Sequence, residues 1–291
     1  LMLGLAVPSG NDAAISIAET IAGSLDGFVR LMNLEADKLG LDSVHFEDSS
    51  GLSEKNRATA VDFVSLCTSY IREFPESLIE LHSVGSFTYP KEKNWRVNGS
   101  SVYGPITQYN RNNLLSSFNA VDGLKTGYID ESGYNIALTA VQEGRRLVAV
   151  LMGGPGENSS EGSMLRGIDG VNLLSYGFYS FRNIKSEVPE LVSPRVWKGA
   201  KTDIKMEHSE IPILTLPVEK AAIIQTKIVL SENIMAPIRR GDILGEIIQL
   251  AGEEIIDKYY ILAAEDIKKG GFVRWLFDSI RMSSLKMSGD F

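Results

Sequence analysis

The sequence predicts an α/β fold of the α+β kind, in which helices pack on an antiparallel sheet, followed by a small all-β domain and an amphipathic helix. Apolar residues recur at helical spacing in the first quarter of the chain, and β-rich segments follow from about residue 120. After about residue 186 the helical spacing disappears. The 291 residues are 44% hydrophobic and 23% charged, a composition typical of globular proteins and a length that favours two domains.

The helices are predicted from apolar residues three and four positions apart. Residues 12–40 carry such a pattern throughout and are expected to be helical. Thr59 is a good N-cap for a second helix that continues through Tyr70. The stretch from Tyr89 to Asn113 is rich in Asn, Ser and Gly, and we expect irregular structure on the surface there.

Three strands are predicted in the segments AVDGLKTGYI, YNIALTAVQ and RRLVAVLMGG. The second and third are separated by Glu143 and Gly144, a pair that favours a hairpin turn. GVNLLSYGFYSF then predicts a helix with aromatic residues on one side. Antiparallel strands packed against earlier and later helices follow from this order.

The remaining chain predicts a small β domain. IPILTL, AAIIQTKIVL, DILGEIIQL and EEIIDKYYILAA alternate or are continuously apolar over strand lengths, with Pro and Gly-Asp turns between them. We therefore expect an α/β domain over residues 1–185, an all-β domain over 186–267 and a terminal helix over 268–291.

The terminal segment 268–291 is amphipathic and basic. At 100° per residue, its Phe, Trp, Val, Leu and Ile side chains share one face, while Arg274, Asp278 and Arg281 share the other. The segment carries a net charge of +3 against −8 for the whole chain, so residues 1–267 carry −11. A helix lying on a membrane surface and a helix docked on its own domain both fit the pattern; the charge contrast and Gly270–Gly271 favour the membrane surface.

Composition also disfavours several classes of function. The net charge of −8 disfavours nucleic acid as a partner, because no basic surplus is available for phosphates. A single cysteine, Cys67, excludes an internal disulfide and a multi-cysteine zinc site. His45, His82 and His208 are scattered along the chain and are interpreted as structural, so we predict no metal and no cofactor.

Two short polar motifs indicate more together than either does alone. Ser9-x-Asn11 precedes a helix and by itself is a common capping arrangement. Lys125-Thr126-Gly127 lies on a predicted strand and by itself suits an edge strand. In this order they are two of the three signatures of penicillin-recognising serine enzymes.

With these motifs the chain resembles the low-molecular-weight penicillin-binding proteins, the serine-type D-alanyl-D-alanine carboxypeptidases of peptidase family S11. The resemblance spans nearly the whole chain and includes PSGNDAA, NRNNLL, VDGLKTGYIDESGYN and APIRRGDILGEI. Class A β-lactamases share the motifs but lack the β domain and the terminal helix. The resemblance implies cleavage of peptidoglycan stem peptides through an acyl-enzyme, binding of β-lactams, and a location on the outer face of the cytoplasmic membrane.

The resemblance also implies catalytic roles for three residues. Ser9 would relay a proton near the leaving amine, and the amide of Asn11 would hold the substrate backbone. Lys125 would supply a positive charge beside the nucleophile and attract the substrate's carboxylate.

Four further residues would bind the substrate by the same resemblance. The Thr126 hydroxyl and the Arg166 guanidinium would bind its terminal carboxylate, since a guanidinium fork suits that group. Gly127 would let the substrate backbone approach the strand, and the Tyr128 N–H would form half of an oxyanion hole.

The chain departs from the family pattern at the nucleophile. The family's Ser-x-x-Lys precedes Ser-x-Asn, whereas here that pattern occurs only at Ser283–Lys286, a match interpreted as coincidence. We expect the sequence given to be N-terminally truncated and inactive alone. The alternative is a membrane-associated pseudoenzyme that binds the peptide without turnover.

Overall fold

A computed structural model describes residues 1–91, 97–98, 101–102 and 104–288, with only the backbone for 97–98, 101–102 and 286–288. The chain divides into two compact units, Leu1–Phe178 and Tyr179–Phe291. The helices of the described residues are α1 (Met2–Ala6), α2 (Asn11–Ala22), α3 (Leu25–Lys38), α4 (Ala60–Glu73), α5 (Leu114–Ser117), α6 (Ser159–Ser180), α7 (Val218–Ala221) and α8 (Phe272–Ser288), with a π-helical turn at Leu78–His82.

The described strands of the first unit form two two-stranded sheets and one three-stranded sheet. They are β1 (Ser86–Tyr89), β2 (Val97–Asn98), β3 (Ser101–Val102), β4 (Ile106–Tyr109), β5 (Val121–Ile129), β6 (Gly133–Gln142) and β7 (Arg145–Gly154). The sheet has the antiparallel order β5–β6–β7, as the sequence predicts. Glu143 and Gly144 both have positive φ, 52° and 73°, which suits the tight hairpin predicted there.

The sheet of the first unit lies between helices. On one side Leu138 and Ile136 pack in a buried cluster with Leu174 and Phe178 of α6. On the other, Leu124 and Ala137 pack with α4 and the π-helical turn. Alternate residues of one strand thus reach opposite faces, and the layered fold follows from the strand period of two.

The helix predicted over residues 12–40 is two helices in the structure. Gly23 ends α2 with φ 73°, a left-handed conformation that glycine adopts without a Cβ penalty. Ser24 then caps α3, its Oγ accepting from the N–H of Gly27 at 3.1 Å. The apolar spacing continues across the break, so periodicity alone did not show it.

The predicted start of helix α4 is confirmed, whereas that of helix α6 is not. Thr59 caps α4 as predicted, because its Oγ1 accepts from the N–H of Asp62 at 3.2 Å. Helix α6 begins at Ser159, eleven residues before Gly170, where the predicted helix begins. Asn158 caps α6, because its Oδ1 accepts from two backbone N–H groups at 3.1 Å. The early turns are rich in Ser and Gly and carry little periodic signal.

The polar stretch from Tyr89 to Asn113 is partly ordered, contrary to expectation. Within it, β4 pairs antiparallel with β1, and the backbone of β2 pairs with β3. Residues 92–96, 99–100 and 103 lie outside the described residues.

The second unit contains the predicted β domain. Its strands are β8 (Phe181–Ile184), β9 (Met206–His208), β10 (Leu214–Pro217), β11 (Ile224–Leu230), β12 (Ile243–Ala251) and β13 (Glu254–Ala263). Four form an antiparallel sheet of order β11–β12–β13–β9, and β8 pairs with β10. A buried cluster that includes Val196, Ile204 and Ile267 gives this unit its own core.

Helix α8 contacts its unit through its polar face. Asp278 is 2% exposed and accepts from the Arg195 guanidinium and the Lys198 N–H at 2.8 and 2.7 Å, while Arg274 lies 3.3 Å away. The predicted apolar face points outward, with Phe272 and Phe277 being 74% and 68% exposed. Residues 289–291 of the predicted helix lie outside the described part of the chain.

Candidate functional site

The turn between α1 and α2 meets the middle of β5. Lys125 on β5 donates a hydrogen bond from Nζ to Oγ of Ser9, and a second to the carbonyl of Thr126 at 2.8 Å. The two motifs that the sequence analysis joined, 116 residues apart, therefore form one site.

Backbone contacts fix the position of Ser9. Its φ is 66°, in the left-handed region that non-glycine residues rarely occupy. On one side the Gly10 N–H donates to the carbonyl of Gly4 at 2.9 Å, and a Cβ at Gly10 would lie 2.9 Å from that oxygen. On the other side of Ser9, the N–H of Arg111 donates to the carbonyl of the buried Val7 at 3.2 Å. The surroundings thus hold the serine in a strained conformation, as is common at functional sites.

Asn11 begins α2 and is exposed. Gly10, rather than a side chain of the motif, occupies the N-cap position. Asp12 accepts a hydrogen bond from the N–H of Ala13 at 2.9 Å. The Asn11 amide is therefore accessible to solvent at the first turn of the helix.

Arg166 of α6 is 7% exposed and reaches the same strand. Its NH1 donates to the carbonyls of Gly127 and Asn135 at 3.4 and 3.3 Å, which are register partners on β5 and β6. Its NH2 donates to the carbonyl of Arg111 and the hydroxyl of Ser163 at 3.5 and 3.3 Å. A guanidinium is thus held at the end of the Lys-Thr-Gly segment.

Tyrosine rings lie beside this guanidinium. The Arg166 Cζ lies 5.8 Å from the Tyr134 ring centroid, and the Tyr134 and Tyr128 centroids are 4.3 Å apart. Tyr128 is exposed, and its Oη donates to Asp130 Oδ1 at 2.6 Å. That bond, together with some burial, raises the pKa of Tyr128 to about 12, so the phenol stays protonated near neutral pH.

The site is cationic although the chain is acidic. Burial, followed by the charges of Arg166 and Arg111, lowers the pKa of Lys125 to about 8. Burial also lowers the pKa of Arg166. Three positive side chains near one strand attract an anion, and a lysine with a pKa near 8 can exchange protons close to neutral pH.

An open cleft of about 660 Å³ adjoins this cluster, lined in part by Pro8, Arg111, Ser163 and Arg166. Pro8, which precedes Ser9, and Arg166, which donates to the Gly127 carbonyl, are the parts of its lining nearest to the two motifs. Thr126 is buried, whereas Gly127 is exposed. The cleft thus has two arginines in its lining and adjoins the turn that carries Ser9.

Several residues of the site were not singled out from the sequence. Arg111 donates from Nε to the Pro8 carbonyl at 3.4 Å, and Asn112 donates from Nδ2 to the Gly123 carbonyl at 3.3 Å. Both lie in the NRNNLL segment, which carried part of the resemblance. Asn112 is 2% exposed, and an asparagine-rich segment predicted on the surface gave no signal for this burial.

A three-stranded antiparallel sheet between helices, with Ser-x-Asn on a turn and Lys-Thr-Gly on a strand, defines the class of penicillin-recognising serine enzymes. Residues 1–156 match the family model described as D-alanyl-D-alanine carboxypeptidase, peptidase S11. Residues 185–269 match the C-terminal domain of penicillin-binding protein 5. The chain belongs to the D-alanyl-D-alanine carboxypeptidase family, as the resemblance predicted.

Individual relatives agree with this assignment. D-alanyl-D-alanine carboxypeptidase DacC of Escherichia coli is 32% identical, with 96% of this chain and 66% of the relative covered. DacF of Bacillus subtilis is 29% identical, with 95% and 68% covered. This chain therefore spans about two thirds of the length of these relatives.

Solved structures confirm the predicted fold class. Penicillin-binding protein 5 of Haemophilus influenzae matches with TM-score 0.70 and 28% identity over 91% of this chain and 73% of that one. DacD of Francisella tularensis matches with TM-score 0.72 and 25% identity over 92% and 75%. Penicillin-binding protein D2 of Listeria monocytogenes, solved with cefotaxime bound, matches with TM-score 0.50 and 27% identity over 60% and 64%.

Proposed function

We propose that this site binds the D-Ala-D-Ala end of a peptidoglycan stem peptide and removes the last residue through an acyl-enzyme. The observation that carries the proposal is the hydrogen bond from Lys125 Nζ to Ser9 Oγ, close to the buried guanidinium of Arg166. Curated relatives over 96% and 95% of the chain are D-alanyl-D-alanine carboxypeptidases, which supports the same reaction.

In this proposal Lys125 and Ser9 move protons. A lysine whose pKa lies at about 8 can release a proton close to neutral pH, so the Lys125 ammonium, which already donates to Ser9 Oγ, can pass a proton to Ser9. Ser9 in turn donates to the leaving amine. The exposed amide of Asn11 hydrogen-bonds the substrate backbone at the other side of the turn.

Substrate binding is assigned to β5 and Arg166. Thr126 and Arg166 hold the terminal carboxylate, and the N–H of Tyr128 contributes to an oxyanion hole. Among the described residues, a Cβ at Gly127 would meet the Asn135 Cβ at 3.8 Å and nothing nearer, an ordinary contact, and the φ of Gly127 is not positive. The fold itself thus does not demand glycine at 127, which supports close approach of a substrate backbone as its reason.

The same groove is proposed to take β-lactams, as the Listeria protein does with cefotaxime and ampicillin. Fluorescent penicillin tests this. Covalent labelling of the protein expressed from its natural gene, blocked by excess unlabelled ampicillin and lost in Lys125→Met, is the expected result. Absence of labelling would contradict the acyl-enzyme.

A pseudoenzyme that binds the peptide without turnover is the second candidate. Within residues 1–291, Ser-x-x-Lys occurs only at Ser283–Lys286, on α8 of the other unit. Binding of an N-acyl-D-Ala-D-Ala peptide without labelling by penicillin would favour it. Labelling of a protein limited to residues 1–291 would instead show that the serine is within this segment, contrary to our expectation.

We also propose that α8 lies on the outer surface of the cytoplasmic membrane. The polar face is occupied by Asp278 and its partners, so the apolar face remains free for lipid. Basic residues around it suit anionic headgroups. Among the described residues, no helix has the length and apolar character needed to cross a bilayer.

Point substitutions on this face test the membrane proposal. Phe272→Asp combined with Phe277→Asp should weaken binding to anionic vesicles by about 100-fold or more, since each buried Phe contributes about 2 kcal/mol. Thermal unfolding should be unchanged, because both side chains are exposed. Flotation of vesicles with 30 mol% phosphatidylglycerol measures the effect.

The matched control is Val61→Asp, at an exposed apolar position of α4. Equal vesicle binding by the double variant and the control would refute the membrane assignment. Deletion of α8 is a poorer test, because it would leave Arg195 without its buried carboxylate partner.

A further inference from the structure

The imidazole of His82 lies beside the residue that precedes Lys125. His82 ends the π-helical turn, and its Nδ1 is 3.1 Å from the carbonyl oxygen of Leu124. Its Nε2 is 2.9 Å from Oη of Tyr70 on α4. The Tyr70 and His82 rings meet edge to face, with centroids 5.5 Å apart. The sequence analysis interpreted this histidine as structural only.

The hydrogen bonds determine the protonation of the ring. A carbonyl oxygen only accepts, so Nδ1 of His82 carries the proton donated to Leu124. In the neutral ring Nε2 is then an acceptor, and the Tyr70 hydroxyl donates to it. Burial and the charge of Lys125 lower the pKa of His82, although the bond to Leu124 acts in the opposite direction. The imidazole therefore stays neutral close to the catalytic cation.

Other contacts join His82 to the strand. The Asn110 amide donates to the His82 carbonyl at 3.2 Å. A Cβ at Gly123 would lie 3.2 Å from the His82 Cβ, so the turn and the strand are in close contact. Leu124 itself packs in the cluster that also contains Leu78 of the turn. The backbone at 123–124 is thus held by side chains as well as by its pairing with β6.

We infer that His82 is a positioning residue for the proposed reaction: its neutral imidazole, oriented by Tyr70, holds the Leu124 carbonyl so that Lys125 points at Ser9. The inference rests on the proposed function only for its catalytic consequence. The geometric consequence, a half-buried Lys125 in contact with Ser9, holds whether or not the site turns over. Among the described residues, the ionisable groups that act on the ring are Tyr70, through its hydrogen bond, and Lys125, through its charge.

The test compares His82→Leu, which lacks both ring nitrogens, with His82→Asn, whose amide can donate to Leu124 in place of Nδ1. Lysines are labelled by reductive ¹³C-methylation, and the Lys125 signal is assigned by its loss in Lys125→Met and titrated by NMR. In His82→Leu the Lys125 midpoint should rise from about 8 towards its ordinary 10.5, as the side chain escapes into water. His82→Asn should restore most of the wild-type midpoint.

Catalysis gives the second readout. The kcat for D-alanine release by the protein from its natural gene should fall about 10- to 100-fold in His82→Leu, because small misplacements of reacting groups are costly. The fall should be largely rescued in His82→Asn. Substitution of His45, which is exposed beside Glu47, is the matched control and should leave both readouts unchanged.

The outcomes separate the two proposals. An unchanged Lys125 midpoint in folded His82→Leu would overturn the positioning role, whatever the activity. A shifted midpoint in a protein that neither binds nor cleaves D-Ala-D-Ala would support the role and contradict the proposed function. If His82→Leu does not fold, Tyr70→Phe frees the ring by removing one oxygen and should shift the midpoint in the same direction; no shift there would also overturn the inference.

Discussion

Replacing Lys125 with methionine should abolish D-alanine release and, at the same time, stabilise the fold. Activity should fall by about 1000-fold or more, since catalytic residues that act as a unit are not replaceable singly. Burial and two nearby guanidinium groups lower the Lys125 pKa from 10.5 to about 8. At about 1.4 kcal/mol per pKa unit this is an upper limit of about 3 kcal/mol, and the lost bonds to Ser9 and Thr126 reduce the expected gain to about 1–2 kcal/mol at pH 7.

The gain should depend on pH in a definite direction. Below pH 8 the ammonium is charged in both the folded and unfolded protein, so its full cost is present. Between pH 8 and 10.5 the unfolded chain binds more protons, so the stability of the wild type rises with pH relative to Lys125→Met. Urea unfolding of both proteins at pH 7 and pH 10 measures this difference.

Lys38→Met is the control for the lysine prediction, because Lys38 is exposed on α3 and forms a surface ion pair with Glu35. It should change neither activity nor the pH dependence of stability. A Lys125→Met protein that is less stable than wild type at pH 7, by the same amount at pH 10, would show that the ammonium is not destabilised by its surroundings.

Replacing Arg166 with glutamine should remove the preference for a free carboxylate. Hydrogen bonds to charged groups contribute about 1.5–3 kcal/mol, so binding of an N-acyl-D-Ala-D-Ala peptide should weaken by about 10- to 100-fold. Binding of the corresponding C-terminal amide should change little. Isothermal titration calorimetry of both peptides measures the ratio of their affinities. For Arg166→Lys this ratio should lie between those of the wild type and Arg166→Gln, since lysine keeps the charge but lacks the guanidinium fork.

The same substitution should destabilise the fold, because Arg166 also joins α6 to the carbonyls of Gly127 and Asn135. Arg30→Gln, at an exposed position of α3, controls for loss of a positive charge elsewhere on the unit. If Arg166→Gln still prefers the carboxylate over the amide as strongly as the wild type, the guanidinium is structural and another group binds the carboxylate.

Local patterns predicted those parts of the fold that local interactions stabilise. The strands β5–β7 and β11–β13 follow from apolar runs and alternation, and the turn at Glu143–Gly144 from two residues that tolerate positive φ. The same reasoning overlooked the break at Gly23, because the apolar spacing continues through it. The predicted start of helix α6 was too far along the chain, since the Ser- and Gly-rich first turns have no apolar stripe.

The sequence predicted those residues of the site that belong to its two short motifs. Ser9 and Lys125 were expected to meet, and they are hydrogen-bonded. Arg111 and His82 were not expected to contribute, because each acts through backbone carbonyls of residues distant in sequence, Pro8 and Leu124. A hydrogen bond to a backbone carbonyl can be formed whatever side chain the accepting residue carries. The sequence pattern therefore does not reveal such a bond.

By itself, the sequence determined the fold class with its all-β domain, the strand segments, the amphipathic character of the C-terminal helix and the two motifs of the proposed site. These properties depend on period, composition and short motifs. Only the tertiary structure decided which face of α8 is covered, because an amphipathic helix can turn either face inward and the buried Asp278 network selects the polar one. It also decided that Lys125 is half-buried near two guanidinium groups, since the burial and the two charges that lower its pKa arise only on folding.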